Sequence, residues 1–187
     1  MVIVLGLTGL AACGKSTVAQ YLKKYGFVQL VFSDVLKQEA RKRGVFKEGM
    51  SLEEEKTALS SFGEQWRKET GKNEIIAIKL IENIKEDKLE KVLLDGFRAP
   101  AEVELFKKNF ESFHLVFVDV DERTRFERRK RDDPDAVFES FAARDKRDIE
   151  GKGLGKVIDM ADIKLDNNGT VEELHKKIEI ILEKIAH

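Results

Sequence analysis

One cysteine, three histidines and two prolines among 187 residues leave this chain short of what several protein classes require. A lone thiol excludes an intramolecular disulfide and fits a reducing cytoplasm, the expected location. With so few thiol and imidazole ligands, no zinc site is expected. No apolar run approaches the ~20 residues of a membrane-spanning helix. The apolar amino-terminal stretch has no basic residues ahead of it, which speaks against a signal peptide. Lys and Arg total 34 against 35 Asp and Glu, for a formal net charge of −1, so no global basic field draws the chain to nucleic acid. Proline-rich, repetitive and low-complexity stretches are missing as well, which leaves the expectation of one domain over 1–187.

What is present begins at Gly9-Leu10-Ala11-Ala12-Cys13-Gly14-Lys15-Ser16, a G-x-x-x-x-G-K-S phosphate-binding loop. Gly9 and Gly14 let the backbone curl so that successive N–H groups point at a phosphate chain. Lys15 supplies a charge for the β/γ oxygens, and the Ser16 hydroxyl is a Mg²⁺ ligand. The loop follows the apolar run 2–5 and precedes a segment of helical spacing, whose positive end would face the phosphates. Gly9, Ala11, Ala12, Cys13, Gly14, Lys15, Ser16 and Thr17 are therefore the candidate nucleotide contacts, with ATP and Mg²⁺ as expected ligands.

Short apolar runs alternate with helical patterns, the signature of βα units around a parallel sheet. Strands are expected near 2–7, 28–32, 92–95, 114–119 and 162–165. Helices are expected over about 15–24, 34–44, 52–70, 73–86, 100–110, 121–131, 136–148 and 171–186, with boundaries good to ~2–4 residues.

Lys91-Val92-Leu93-Leu94-Asp95 is an apolar strand ending in a carboxylate, where ligands collect in open α/β sheets. Asp95 is thus expected to reach the metal held by Ser16. Gly96 follows where a motor ATPase needs a second carboxylate, and the chain has no N-K-x-D for guanine recognition by a GTPase. Phosphoryl transfer to a small acceptor is the use that remains. Arg98, three residues past Asp95, is placed to hold an acceptor phosphate bidentately. Asp34 opens the helix after the second strand, as an acceptor contact, a base or a cap. Lys37 and Arg67 are further candidates for the acceptor's phosphate. The densest basic stretch, 123–131, puts Arg125, Arg128 and Arg129 on one helical face. A turn and a second helix would return Arg144 and Arg147 toward them, as a lid closing cations over a transferring group or as a hairpin of exposed ion pairs.

Asp95-Gly96-Phe97-Arg98 resembles the Asp-Gly-Phe-Pro-Arg segment of adenylate kinases without its proline, and 33–37 resembles their acceptor-site segment with Lys37 replacing an arginine. The chain is more similar still to the archaeal adenylate-kinase-related family, also described as dephospho-CoA-kinase-like. The shared motifs are Asp95 to Val103, Arg125 to Arg128, Asp132-Asp133, Arg144 to Arg147, and Gly153-Leu154-Gly155 before Ala161-Asp162, with Ala99 replacing the family's serine. The resemblance implies a three-layer α/β/α P-loop nucleotide-kinase fold with a five-stranded parallel sheet, an acceptor-binding insertion at about 33–72 and a short Arg-rich lid at about 125–150. It leaves the acceptor open. Taken with the residues above, the expected reaction is transfer of the ATP γ-phosphoryl to a nucleoside monophosphate or similar nucleotide, with small-molecule nucleotides as partners and, from charge and hydropathy, neither nucleic acid nor membrane. Lys15, Asp34, Arg98, Arg125, Arg128 and Arg144 are the candidate catalytic residues. Asp34, Lys37, Arg67, Arg98 and Glu102 are the candidate acceptor contacts, and Ser16 and Asp95 the metal ligands. Glu102 stands where adenylate kinases read adenine with glutamine, and a carboxylate cannot donate to adenine N1 unless protonated. The alternatives are a dephospho-CoA kinase, whose acceptor is a ribose hydroxyl, and a non-catalytic nucleotide sensor.

Overall fold

A computed structural model of the chain describes residues 2–97, 99–151 and 153–185. Strands β1 (Ile3–Thr8), β2 (Val28–Val31), β3 (Lys91–Asp95), β4 (Ser112–Asp119) and β5 (Ile163–Asp166) pair in the order β2-β3-β1-β4-β5, and every pairing is parallel. Around the sheet lie α1 (Lys15–Lys23), α2 (Phe32–Lys42), α3 (Leu52–Thr70), α4 (Ile75–Glu86), α5 (Pro100–Asn109), α6 (Glu122–Asp132), α7 (Phe138–Lys146), α8 (Leu154–Asp159) and α9 (Val171–Ile185). The three-layer α/β/α fold expected from the alternating patterns is the one observed.

Covering both faces of a parallel sheet demands strands that are apolar throughout, and β1 is buried along nearly its whole length. Alternation then sorts the side chains between two cores. Val4, Val92, Leu94, Phe113 and Leu115 join the first, under α2 to α5, where Phe106 is fully buried against Phe97, Phe110 and Phe113. Leu5, Leu7, Leu93, Val116, Val118 and Leu165 join the second, under α1 and α9. Truncating Phe106 to alanine would cost about 3–5 kcal/mol, because a rigid aromatic cluster cannot collapse into the void.

Two elements differ from the sequence expectation. The helix over 136–148 is α7 followed by a π-helical turn, Arg147–Gly151, and α8 was not anticipated. α8 is six residues long, begins after Gly153 in a left-handed conformation at φ 77°, and buries only Val157. Such an element carries too few turns to register as a periodicity. At the other end of the chain, Thr170 caps α9 as expected: its Oγ accepts from the Glu173 N–H at 3.3 Å, while Glu173 accepts from the Thr170 N–H at 2.9 Å. The Ala161-Asp162 motif is structural. Asp162 accepts from the Leu115 N–H at 2.8 Å and pairs with Lys107 at 3.0 Å, which secures β4.

Candidate active site

β1 delivers the chain into the loop between Gly9 and Gly14, and α1 leaves it at Lys15. Gly9 has φ 147°, and a Cβ there would stand 2.8 Å from both the Val118 carbonyl oxygen and the Cys13 sulfur. Gly14 has φ 96°, and a Cβ on it would overlap the side-chain amide of Asn167. Only glycine serves at either position. Ala12 also holds a positive φ, 60°, an uncommon state for a residue with a side chain, so the loop is held from outside.

Two residues supply that hold. Asn167, buried in the turn after β5, donates from Nδ2 to the Cys13 carbonyl at 2.8 Å. Arg125 donates from Nη1 to the Ala11 carbonyl at 3.3 Å and from Nε to the Val120 carbonyl at 3.2 Å. The Arg125 guanidinium pairs with Asp145 of α7 at 2.6 Å, both side chains are about 5 % exposed or less, and Phe141 covers the group at 5.3 Å. Arg125 and Arg128 share the side of α6 that faces the loop, as their spacing predicts, and Arg125 is the buried one of the two. A guanidinium so buried is retained because a carboxylate and two carbonyls satisfy it, and its contacts tie α6 and α7 to the loop. Asn167 went unrecognised in the sequence because a single amide in a turn has no spacing that marks it.

Arg128 is half-buried and donates from Nη2 to the Asn167 carbonyl at 2.7 Å. With Asp132, Asp95 and the loop residues Ala12 to Ser16 it lines a recess of about 300 Å³. The Lys15 ammonium folds back on the Gly9 carbonyl at 2.8 Å. Cys13 is buried and joins the core under α1 and α9. Ser16 is exposed into the recess that Asp95 also lines. Burial pushes the Asp95 carboxyl above the usual carboxylate range, against the pull of Lys15 and a hydrogen bond from Gly96 N–H. Among the described residues no group of three or more His, Cys, Asp or Glu is arranged to hold a metal. A hydroxyl and one carboxylate facing a phosphate recess do suit Mg²⁺, which takes few protein oxygens and completes its shell with phosphate and water.

A larger cleft of about 650 Å³ opens on the other side of Lys15 and Asp95. Its walls come from the loop, from α2 and α3, and from Arg144, Asp148 and Leu154. Arg67 lines it, with Nε fixed on the Asn73 carbonyl at 3.1 Å. Arg144 is exposed and stands 3.7 Å from Asp148 across the π-helical turn. The Thr8 hydroxyl is buried without a hydrogen-bond partner among the described residues, at the point where β1 meets this cleft. Asp34 and Lys37 are not brought to the cleft wall. They form an exposed pair at 3.4 Å on α2, whose Ser33 and Leu36 take the lining positions. Glu102 does line the cleft, but its carboxylate accepts from the Ala99 N–H at 3.1 Å at the start of α5. That hydrogen bond accounts for one of the backbone donors a helix start leaves unpaired. Arg98 lies outside the described residues. Its neighbour Phe97 is buried against Phe32 and Phe113, so the Asp-Gly-Phe segment is anchored in the core.

A parallel α/β/α sheet with the phosphate loop between β1 and α1, and a carboxylate ending the neighbouring strand, defines a P-loop protein of the kinase fold. Solved structures share that fold: TT1252 from Thermus thermophilus (TM-score 0.65, 20% identity, covering 98% of this chain and 97% of that one) and shikimate kinase from Aquifex aeolicus (TM-score 0.58, 20% identity, 98% of each). The chain belongs to the AAA domain family, matched over residues 8–141, and to the UPF0200 proteins of archaea. The UPF0200 protein of Methanothermobacter thermautotrophicus is 34% identical over 187 residues, covering 98% of this chain and 91% of that protein. The relative from Thermococcus gammatolerans is 34% identical over 186 residues, covering 96% and 93%. No described helix is long and apolar enough to cross a membrane.

Proposed function

We propose that the protein transfers the γ-phosphoryl group of ATP to a nucleoside monophosphate, with Mg²⁺ required. The observation that carries this reading is the contact between two cavities. Lys15 and Asp95 line both the loop recess and the larger cleft, so a donor's terminal phosphate and an acceptor would meet at that shared wall. Gly96, directly after Asp95, offers no carboxylate to activate water, which disfavours hydrolysis for mechanical work. The segment 33–72 forms the acceptor side of the site, and 125–150 the lid.

In this reaction the bond between the γ-phosphorus and the β,γ-bridging oxygen breaks, and an acceptor phosphate oxygen forms the new bond. An acceptor phosphate has a second pKa of ~6 and arrives mostly ionised, so no strong base is needed. Lys15 leaves its loop carbonyl for the phosphate oxygens, Arg128 steadies the donor side, and Arg144 exchanges Asp148 for the transferring group. Arg125 serves by holding the loop carbonyl of Ala11. Ser16 and Asp95 would hold the metal, which when bound neutralises charge on the β- and γ-phosphates. Alignment and charge neutralisation then carry the catalysis. Arg98 is assigned to the acceptor phosphate from its place in the sequence, three residues past Asp95, while the Asp34–Lys37 pair would act at the cleft's rim.

The test is a phosphotransfer panel with ATP against nucleoside and deoxynucleoside monophosphates, dephospho-CoA and small hydroxy acids. Turnover confined to monophosphates is the expected result. Turnover with dephospho-CoA alone would reassign the acceptor to a ribose hydroxyl, and nucleotide binding with no turnover would make the protein a sensor.

A further inference from the structure

Across the larger cleft from the phosphate loop, α3 carries a glycine in its interior. Gly63 is buried, although glycine weakens a helix interior relative to alanine. It lines the cleft with Leu36 and Leu59, and a Cβ added to it would stand 3.3 Å from Leu36 Cδ2 and 3.4 Å from Arg67 Nη1. The absent side chain leaves a narrow slot at the cleft wall, with Leu36 packed on one side and the Arg67 guanidinium on the other. A planar ring can approach a helix that closely only where no Cβ intervenes. Glu64 and Arg67, one and four residues further along α3, line the same cleft. The tether of Arg67 Nε to the Asn73 carbonyl leaves its Nη groups beside Gly63. An ionised carboxylate only accepts hydrogen bonds and a guanidinium only donates. The matching ligand edge therefore offers N–H donors next to a carbonyl oxygen.

Resting on the nucleoside-monophosphate reading above, we propose that Gly63 seats the base of the acceptor and that Glu64 and Arg67 read its edge, selecting a 2-amino-6-oxopurine monophosphate. Guanine presents its ring N–H and 2-amino group to Glu64 and its 6-oxo group to Arg67. Adenine has no carbonyl, and its ring nitrogen on that edge is an acceptor that would face a carboxylate. The fixed Glu102, already engaged at the start of α5, is relieved of base reading by this arrangement.

The chain's single tryptophan, Trp66, is buried on α3 one turn past Gly63, and its fluorescence reports acceptor binding without turnover. GMP and IMP, which differ only in the 2-amino group, are titrated against the whole protein, and phosphotransfer is measured in parallel. GMP is expected to bind about tenfold more tightly than IMP, the worth of one hydrogen bond to a charged group. Glu64→Gln should erase that difference. Gly63→Ala should raise the acceptor KM about tenfold while leaving the KM for ATP unchanged and the melting temperature equal or higher. If monophosphates are phosphorylated without preference for GMP over IMP, the inference falls and the proposed function stands. The same holds if Gly63→Ala lowers the melting temperature and spares the acceptor KM, as a purely packing glycine would. If no monophosphate binds or reacts, both fall together.

Discussion

The loop side of the site and the larger cleft, the proposed acceptor side, are built on opposite plans. Around the loop, two buried polar side chains are committed to fixed partners: Asn167 to Cys13, and Arg125 to Ala11 and Asp145. On the cleft side, two ion pairs are long: Asp34 and Lys37 at 3.4 Å at the rim, and Arg144 and Asp148 at 3.7 Å. A phosphate chain is the same in every donor, so a rigid cradle loses nothing by being made in advance and reacts without reorganisation. In the proposed reaction an acceptor has to be admitted, enclosed and released, and groups that serve it need partners they can leave. Loose surface ion pairs contribute about 0–1 kcal/mol, which makes them easy to exchange.

The largest expected effect lies where the two plans meet. Lys15→Ala should lower kcat for phosphotransfer by about 10³-fold or more with an unchanged far-UV circular dichroism spectrum. Near-normal turnover in a folded variant would remove the basis for a kinase. The comparison itself is broken or kept by two substitutions on α7, one helix position apart. Arg144→Ala should reduce kcat by about 10³-fold while barely altering ATP binding or the melting temperature. Asp145→Ala should strand the buried Arg125 and cost about 3–5 kcal/mol of stability, read as a fall of roughly 10 °C in melting temperature. If both variants gave the same loss, committed and exchangeable charges would not be distinct in this site.

Asn167→Ala sharpens the comparison on the loop side. Losing its hydrogen bond to Cys13 should weaken ATP binding by about tenfold, the equivalent of roughly 1.4 kcal/mol, measurable by calorimetry, with acceptor binding untouched. On the acceptor side, Asp34→Asn should change the acceptor KM by only about threefold, since an exposed pair is worth little and an ionised phosphate yields no proton. A collapse of kcat at constant acceptor KM would instead mark Asp34 as the general base for a hydroxyl acceptor.

The loop side was also the more legible in sequence. The G-x-x-x-x-G-K-S spacing located Gly9 to Ser16, and the apolar run before Asp95 put its carboxylate at the carboxyl end of a strand, because both signals are local. What secures the loop is not local. Arg125 and Asp145 are separated by a turn and parts of two helices, and Asn167 comes from beyond β5. In the chain Arg125 is one arginine among several, and only the third dimension singles it out. Strand order has the same character, since alternation implies parallel strands without saying which neighbour each takes. On the acceptor side the sequence pointed to Arg67 and Arg144, both on the cleft wall, and also to Asp34 and Lys37, which are not. The register of α2 turns Ser33 and Leu36 inward instead, and a boundary read two residues late, at 34 instead of Phe32, is enough to hide that.

The burial of Cys13 has a use of its own. Its thiol is 1 % exposed at the centre of the loop, and it is the only one in the chain. A thiol-directed reagent can reach it only when the loop opens, so the rate of labelling in native protein counts loop openings with no background from other sites. The protein thus carries a built-in clock for the motion of its own phosphate cradle, one that a bound nucleotide should slow.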